Sequence, residues 1–477
     1  MSLAIWWIRR DLRLMDNNAL RLALAEGRAV LPVFILDPRL LERPAPKRQA
    51  FLFSGLRALD AELHKLGVML VVRSGDPLEV LTQVCGESGA QVIFAEEDYS
   101  PYARRRDAQV AAQLPLRLAG GLTVHHPSKV CKPDGTPYTI FTPFSKAWKA
   151  LGIPRSDELF YPSFLPQAPE LASLPLPASE HLSEFPASEQ EAQSRLASFL
   201  DGPMLGYQGN RNRMDLEQGT SQLSPYFRFG MLSVRQAAWE AWKVMQRAPD
   251  ENGQHGAETW LNELIWREFY NTILFHFPHV LRIAFNPSLR KVSWRNAPDD
   301  LAAWQEGRTG YPIVDAGMRQ LIQMGWIHNR ARMVVASFLV KDLLIDWRAG
   351  ERWFMQHLVD GDPAANNGGW QWTAGVGTDA APYFRVFNPV LQSQRFDPQG
   401  KYIRRWVPEL QLVPNEYIHE PWKMPGTVQR ASQCRLGIEY PMPVVDHTVA
   451  KVRVLAVYRQ SQQIVREEYG FQEPSYG

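Results

Sequence analysis

The chain has 477 residues, 45% of them apolar and 21% charged, with a formal net charge of +2. This is the composition of a folded protein with more than one core, and it excludes disorder, low complexity and a strongly basic tail as the basis of function. Cys85, Cys131 and Cys434 are odd in number and form no CxxC pair, so neither a disulfide framework nor a thiolate metal site is expected, and a reducing cytoplasm fits best.

The chain opens on an apolar stretch, Leu3 to Ile8, followed by Arg9, Arg10 and Asp11, which is the wrong order for a signal peptide. No apolar run reaches the ~20 residues of a membrane span. Over residues 1–130 apolar strand patterns alternate with helical ones. Strands are expected at Ala4–Ile8, Ala29–Leu36, Val68–Arg73, Gln91–Glu96 and Leu122–His125, with helices at Asn18–Glu26, Arg48–Leu66 and Pro77–Glu87. That alternation predicts a doubly wound, Rossmann-like parallel sheet with right-handed crossovers, an α/β domain. No GxGxxG follows the first strand, so the sheet is not an evident dinucleotide site.

Residues 131–190 are rich in Pro, Ser, Leu and Glu with little periodicity and read as an interdomain linker. Acidic residues gather in 151–202, leaving both flanking regions mildly basic. From 191 to 477 helical periodicity takes over, in segments such as Thr259–Phe277, Val314–Met324, Asn329–Leu344 and Glu351–Val359, and an all-helical domain is expected. It holds all but three of the 16 tryptophans, more than packing requires.

Four segments of this domain carry chemistry. Gly219 to Pro225 places the hydroxyls of Thr220, Ser221 and Ser224 around a helix start, which suits a phosphate as well as it suits a plain N-cap. In Trp260 to Tyr270, the residues Glu263, Trp266, Arg267 and Tyr270 share one helical face, either as a site or as a buried ion pair. Asn329 stands over Met333 one turn on. Asp360 to Trp372 packs two acids, an Asn pair, a Gly pair and two indoles into thirteen residues. As a cation loop it lacks the terminal bidentate Glu, and no metal is expected.

These segments, together with Trp7-Ile8-Arg9-Arg10-Asp11-Leu12-Arg13-Leu14 and Asp16-Asn17, resemble the photolyase and cryptochrome family, most closely its bacterial cyclobutane-dimer photolyases. The resemblance covers nearly the whole chain and is strongest from Trp260 to Pro389. It implies an FAD-binding helical domain and light-driven repair of cyclobutane pyrimidine dimers in DNA, the alternative being a cryptochrome-type blue-light sensor. Tyr207, Thr220, Ser221, Gln222, Leu223, Ser224, Trp260, Arg332, Asp360, Gly361 and Asp362 match FAD-binding positions, with Arg332 and Asp360 as an ion pair beside the flavin. The interval from Tyr207 to Thr220 is one residue longer than in the family pattern.

By the same resemblance Asn366 faces the reactive ring nitrogen of fully reduced FAD, and Trp370, Trp347 and Trp304 form an electron chain from flavin to surface. Glu263, Trp266, Tyr270, Asn329, Met333 and Trp372 would hold the flipped dimer, and Arg211, Arg267, Arg330, Arg385 and Gln392 the DNA backbone. A second, antenna pigment is implied in the first domain. Tyr102 and Ala103 stand where folate-binding members carry Asn and Glu, so with Arg104–Arg106 a deazaflavin or FMN is favoured over methenyltetrahydrofolate. A monomer working on dimer-containing DNA, with no membrane, is the resulting expectation.

Overall fold

A computed structural model describes residues 2–154, 160–180 and 182–469. The chain divides into two compact units: Met1–Gln208, Thr220–Pro278 and Leu358–Ala364 in the first, and Gly209–Gly219, His279–His357 and Ala365–Gly477 in the second.

In the first unit β1 (Leu3–Ile8), β2 (Ala29–Leu36), β3 (Val71–Ser74), β4 (Val92–Glu97) and β5 (Leu116–Gly121) form one sheet in the order β3-β2-β1-β4-β5. All pairings are parallel, with Leu3 to Ile8 in register with Ala29 to Phe34. β1 and β2 are buried along their whole length, which is why they read as unbroken apolar runs rather than alternating ones. The crossovers are α1 (Asn18–Ala25), α2 (Pro46–Lys65), α3 (Pro77–Ser88) and α4 (Pro101–Ala111). Asn17, Asp76 and Ser100 cap α1, α3 and α4 by accepting from Leu20 N, Leu78 N and Ala103 N, so each strand exit becomes a helix entry. Strand order reverses between β1 and β4, and the segments leaving them, Arg9–Asp11 and Asp98, therefore open at the same edge.

Two expectations are corrected. The fifth strand is Leu116–Gly121, not Leu122–His125. As an edge strand it is largely exposed and so lacks a continuous apolar signal, whereas the apolar residues after it spend their N–H groups elsewhere, Val124 N and His125 N on the Glu268 carboxylate. The stretch 131–190 contains a helix, α5 (Phe141–Ala150), in which Phe144 and Trp148 are fully buried one turn apart. Residues 155–159 and 181 of that stretch lie outside the described residues.

The first unit continues with α6 (Ser224–Arg228), α7 (Val234–Arg247) and the long α8 (Glu251–His276), whose N-cap Asp250 accepts from Gly253 N. The second unit is helical: α9 (Pro298–Gln305), α10 (Pro312–Met324), α11 (Asn329–Ser337), α12 (Trp347–His357), α13 (Pro363–Ala374, from Ala365 on), α14 (Pro389–Phe396) and α15 (His447–Tyr469). A π turn, Phe338–Asp342, extends α11 and ends it short of the expected Leu344. Among the described residues no helix is long and apolar enough to cross a membrane, and no cluster of His, Cys, Asp or Glu could hold a metal.

Candidate functional site

In the first unit the acidic residues Asp360 and Asp362 are buried at 7% exposure each. Asp362 accepts from Arg10 Nη2 at 2.5 Å and, through its other oxygen, from Ala364 N at 2.9 Å, which starts α13. Arg10 also reaches Asp98 at 3.4 Å and donates to Arg228 O at 3.1 Å, while Arg228 Nε donates to Gly361 O at 2.6 Å and Arg48 Nη1 to Leu358 O at 3.0 Å. Three guanidinium groups are thus drawn to one acidic turn. Burial would raise the Asp98 carboxyl, but Arg10 and the N–H of Ser100 hold it down at about 2. Burial and the neighbouring Arg10 push Arg228 down to about 9, and burial lowers Arg48 to about 10 against the pull of Asp360. Arg228 Nη1 has no hydrogen-bond partner among the described residues. Buried positive charge with an orphaned donor is the complement of an anion such as a dinucleotide's pyrophosphate.

The hydroxyl loop belongs to the same unit. Gln222 has φ +51, a left-handed conformation uncommon for a residue with a side chain. The N-cap position of α6 is Leu223 and carries no side-chain cap bond, so the plain-cap reading of the hydroxyls does not hold. Ser221 Oγ instead accepts from Trp260 Nε1 at 3.2 Å. Trp260 and Tyr207, 3% and 8% exposed, both pack on Phe199, at 5.6 and 5.8 Å between ring centres.

On α8, Glu263, Trp266 and Tyr270 remain partly exposed, and Tyr270 leans on Trp266 at 5.6 Å. Arg267 is partly exposed as well. Its guanidinium donates to Leu122 O and Phe227 O, and burial lowers its pKa, so part of its donor set is engaged by the protein's own carbonyls. The next residue, Glu268, is 1% exposed and accepts from Val124 N, His125 N and Trp148 Nε1. Burial pushes its carboxyl up to about 7 against those three donors.

The basic run Arg104–Arg106 is mostly occupied. Arg104 donates to Phe275 O at 2.8 Å and lies 4.1 Å over the Phe275 ring. Arg106 is buried, bonded to Asp107 and seated on Trp7, and Tyr102 donates its hydroxyl to Asp37. Only Arg105 presents an exposed guanidinium without a described partner, so the run is not the open basic patch its sequence implied.

In the second unit Asn366, 9% exposed, donates from Nδ2 to Glu351 O at 3.1 Å and to Glu351 Oε1 at 2.9 Å. A backbone carbonyl only accepts, so the amide orientation is set and Oδ1 remains as the acceptor. Arg332 donates to Ile327 O at 2.9 Å.

The three indoles of the expected electron chain, Trp304, Trp347 and Trp370, are 0%, 1% and 2% exposed. Trp304 meets Trp370 directly at 6.1 Å, with Phe354 touching both at 6.2 and 5.0 Å. Its N–H is bound to Val335 O at 2.9 Å. Trp304 therefore does not carry the chain to the surface, and Trp294, part-exposed and edge-on to Tyr458 at 6.1 Å, is an indole of this unit that reaches it.

Asn329 is exposed and its amide lies 4.0 Å from Met333 Sδ, while Trp372 is partly exposed on α13. His328 faces away: 4% exposed, it caps α11 by accepting from Arg330 N at 3.0 Å, and burial with Arg330, Arg332 and Arg211 pushes its pKa down to about 3. Arg330 donates to Asn212 Oδ1 at 2.7 Å and lies 4.4 Å over Phe396. Burial, then Arg211, Arg385 and Arg395, lower it to about 10, which makes these four arginines one cationic cluster, with Arg385 exposed. Gln392 is on α14, three residues before Arg395. Sequence reasoning missed Arg48, Arg228 and Glu351, which stand in no dense motif and whose partners lie 310, 133 and 15 residues away.

Known proteins resemble the chain over nearly its whole length. Residues 260–460 match the FAD binding domain of DNA photolyase, and residues 4–163 match the DNA photolyase domain. A deoxyribodipyrimidine photo-lyase of Agrobacterium fabrum is 39% identical over 473 residues, 95% of this chain and 97% of that protein. The chain belongs to the DNA photolyase family. A bacterial class III photolyase from Agrobacterium tumefaciens shares the fold at TM-score 0.87 and 38% identity, over 97% of this chain and 98% of that one. A Synechocystis cryptochrome follows at 0.86 and 31%, covering 96% and 99%, and an archaeal photolyase from Sulfolobus tokodaii, solved with two FAD molecules, at 0.80 and 32%, covering 96% and 100%. Family membership makes the chain a flavoenzyme of DNA repair and a lyase, and gives the helical part its role as the FAD-binding domain.

Proposed function

We propose that this photolyase splits cyclobutane pyrimidine dimers flipped out of DNA, with residues 1–130 as antenna domain and 191–477 as catalytic domain. The observation that carries the reading is Asn366, whose amide nitrogen is tied to Glu351 so that only its oxygen is left to accept. An acceptor at that place matches a protonated ring nitrogen, the state of a reduced flavin. The donor set fits FAD further: the orphaned Arg228 Nη1 and the hydroxyls of Thr220, Ser221 and Ser224 suit its pyrophosphate, with Gln222, Leu223, Tyr207, Trp260, Arg332, Asp360, Gly361 and Asp362 completing the binding set. When bound and fully reduced, FAD supplies on illumination the electron that the dimer accepts and returns, so two carbon–carbon bonds break with no net redox change.

The chain's own residues bind and orient. Flipping of the target is general to photolyases. Trp266, Trp372 and Met333 offer flat or polarizable apolar surface to the fused pyrimidines, and Glu263 and Asn329 hydrogen-bond their edges. The cluster of Arg211, Arg330 and Arg385, with Gln392, holds backbone phosphates, which positions DNA without reading its sequence. Trp370 and Trp347 pass an electron inward to restore reduced FAD, and Trp294 replaces Trp304 as the surface end. His328, buried and neutral, supplies no proton, which favours the cyclobutane dimer over the 6-4 photoproduct, whose repair needs an acid near the lesion. The enzyme works as a cytoplasmic monomer.

The antenna belongs to the first domain and is of flavin or deazaflavin type. Ala103 offers no carboxylate to a pterin, and the Sulfolobus neighbour with a second FAD supports the lean. Its absorption spectrum after purification checks this, a stoichiometric folate being the contrary result. The activity is tested by dimer repair with and without blue light. Light-dependent restoration is expected, whereas flavin photochemistry without repair belongs to a sensor.

A further inference from the structure

Phe141, the first residue of α5, lies flat on the Trp266 indole, with ring centres 3.7 Å apart and planes 4° from parallel. Phe269 meets both rings edge-on, at 6.0 Å from Phe141 and 5.6 Å from Trp266. A stack this close covers one face of the indole, and Phe269 removes its freedom to swing.

The helix that carries Phe141 is itself fixed to α8 along its length. Phe144 packs edge-on to Phe269 at 5.2 Å, Trp148 Nε1 donates to Glu268 at 2.6 Å and Lys149 to Glu258 at 2.8 Å. Despite this enclosure Trp266 stays partly exposed. A ring needed only for packing has no reason to be held this firmly and yet left open, whereas a stacking platform needs both, since a pre-ordered surface loses less entropy when a ligand settles on it.

We propose that Phe141 is a positioning residue for lesion recognition: it backs the covered face of Trp266 and holds the open part of the indole for the fused pyrimidine pair. This rests on the assignment of Trp266 to the dimer pocket. Phe141 touches no reacting atom, so its effect falls on binding and not on the chemical step.

The test compares binding to an oligonucleotide carrying one cyclobutane dimer with binding to the same undamaged strand. Flavin content and repair per absorbed photon at saturating DNA are measured alongside, on chemically reduced enzyme. Phe141→Leu is expected to weaken dimer binding by roughly 3- to 10-fold, the range of one lost aromatic contact. Binding to undamaged DNA, flavin content and saturated repair stay at the parent values, Phe141→Tyr restores dimer binding, and Phe141→Leu adds nothing in a Trp266→Ala background. Parent-level dimer binding by Phe141→Leu, or an equal loss for both DNAs, overturns the proposal. So does loss of flavin from both Phe141→Leu and the unbranched apolar Phe141→Met, which marks a core residue. If Trp266→Ala itself binds dimers as the parent does, the pocket assignment fails, separately from the role of Phe141.

Discussion

Single side chains here are set by what their neighbours already occupy. Glu263 stands partly exposed on a helix otherwise lined by Leu261, Leu264 and Ile265, so a carboxylate is held against an apolar background. Glu263→Ala is expected to keep flavin and lose repair efficiency by ~1–3 kcal/mol, the cost of a polar edge left unpaired, read from repair rates at subsaturating DNA. Trp370 is 2% exposed and packed on Trp304 and Phe354, and the proposed role gives it electron relay without contact to the lesion. Trp370→Phe should therefore block photoreduction of oxidised FAD, followed by absorbance, while chemically reduced enzyme repairs normally. His328 gives a pH signature. Its folded pKa of about 3 lies below the ~6.5 of an unfolded histidine, so below pH ~6.5 the unfolded chain binds the extra proton. The stability it contributes is full above that pH and declines as pH falls towards 3. His328→Asn, which keeps a capping side chain for Arg330 N, should flatten that acid limb in denaturant titrations, and repair should show no titration from His328 between pH ~5 and ~8.

At the scale of elements, the junction of α5, α8 and residues 122–125 depends on one carboxylate. Glu268 receives three N–H donors, and an amide in its place turns one donor against another. Glu268→Gln is therefore expected to destabilise by ~1–3 kcal/mol although it is isosteric, measured by urea unfolding. The same junction shows what the sequence disclosed and what it hid. Strands β1, β2 and β4 were legible because their runs are buried on both faces, β3 was legible from the buried Val71 and Val72, and α8 was legible because its apolar residues recur with helical period. The edge strand β5 was not, since Leu116, Arg117 and Leu118 face solvent in part and the apolar signal lies just beyond, in residues serving Glu268. Helix α5 was hidden by Pro143 and by the Pro-rich stretch around it, though Phe141, Phe144 and Trp148 have helical spacing. The site behaved likewise. Dense motifs marked the hydroxyl loop and Asp360 to Trp372, whereas Arg48, Arg228 and Glu351 could be found only once folding placed them. Trp304 was misjudged because exposure cannot be read from an indole's place in a motif. The carbonyl bonds of Arg267 were hidden because its partners, Leu122 and Phe227, lie far from it in the chain.

For the molecule as a whole, a net charge of +2 gives little general attraction to DNA, so affinity depends on local clusters. Arg385, exposed beside Arg330, should act as a phosphate contact. Arg385→Ala is expected to weaken damaged and undamaged DNA alike and to lower the slope of log affinity against log salt by ~0.9, checked by titration at several ionic strengths. The most direct measurement for the central claim is parallel illumination, with reduced enzyme, of two DNAs that carry a single cyclobutane dimer or a single 6-4 photoproduct. Dimer restoration under blue light, none in the dark, and no restoration of the 6-4 lesion are the predicted results. Efficient repair of the 6-4 lesion, or flavin photochemistry with neither lesion repaired, would contradict it.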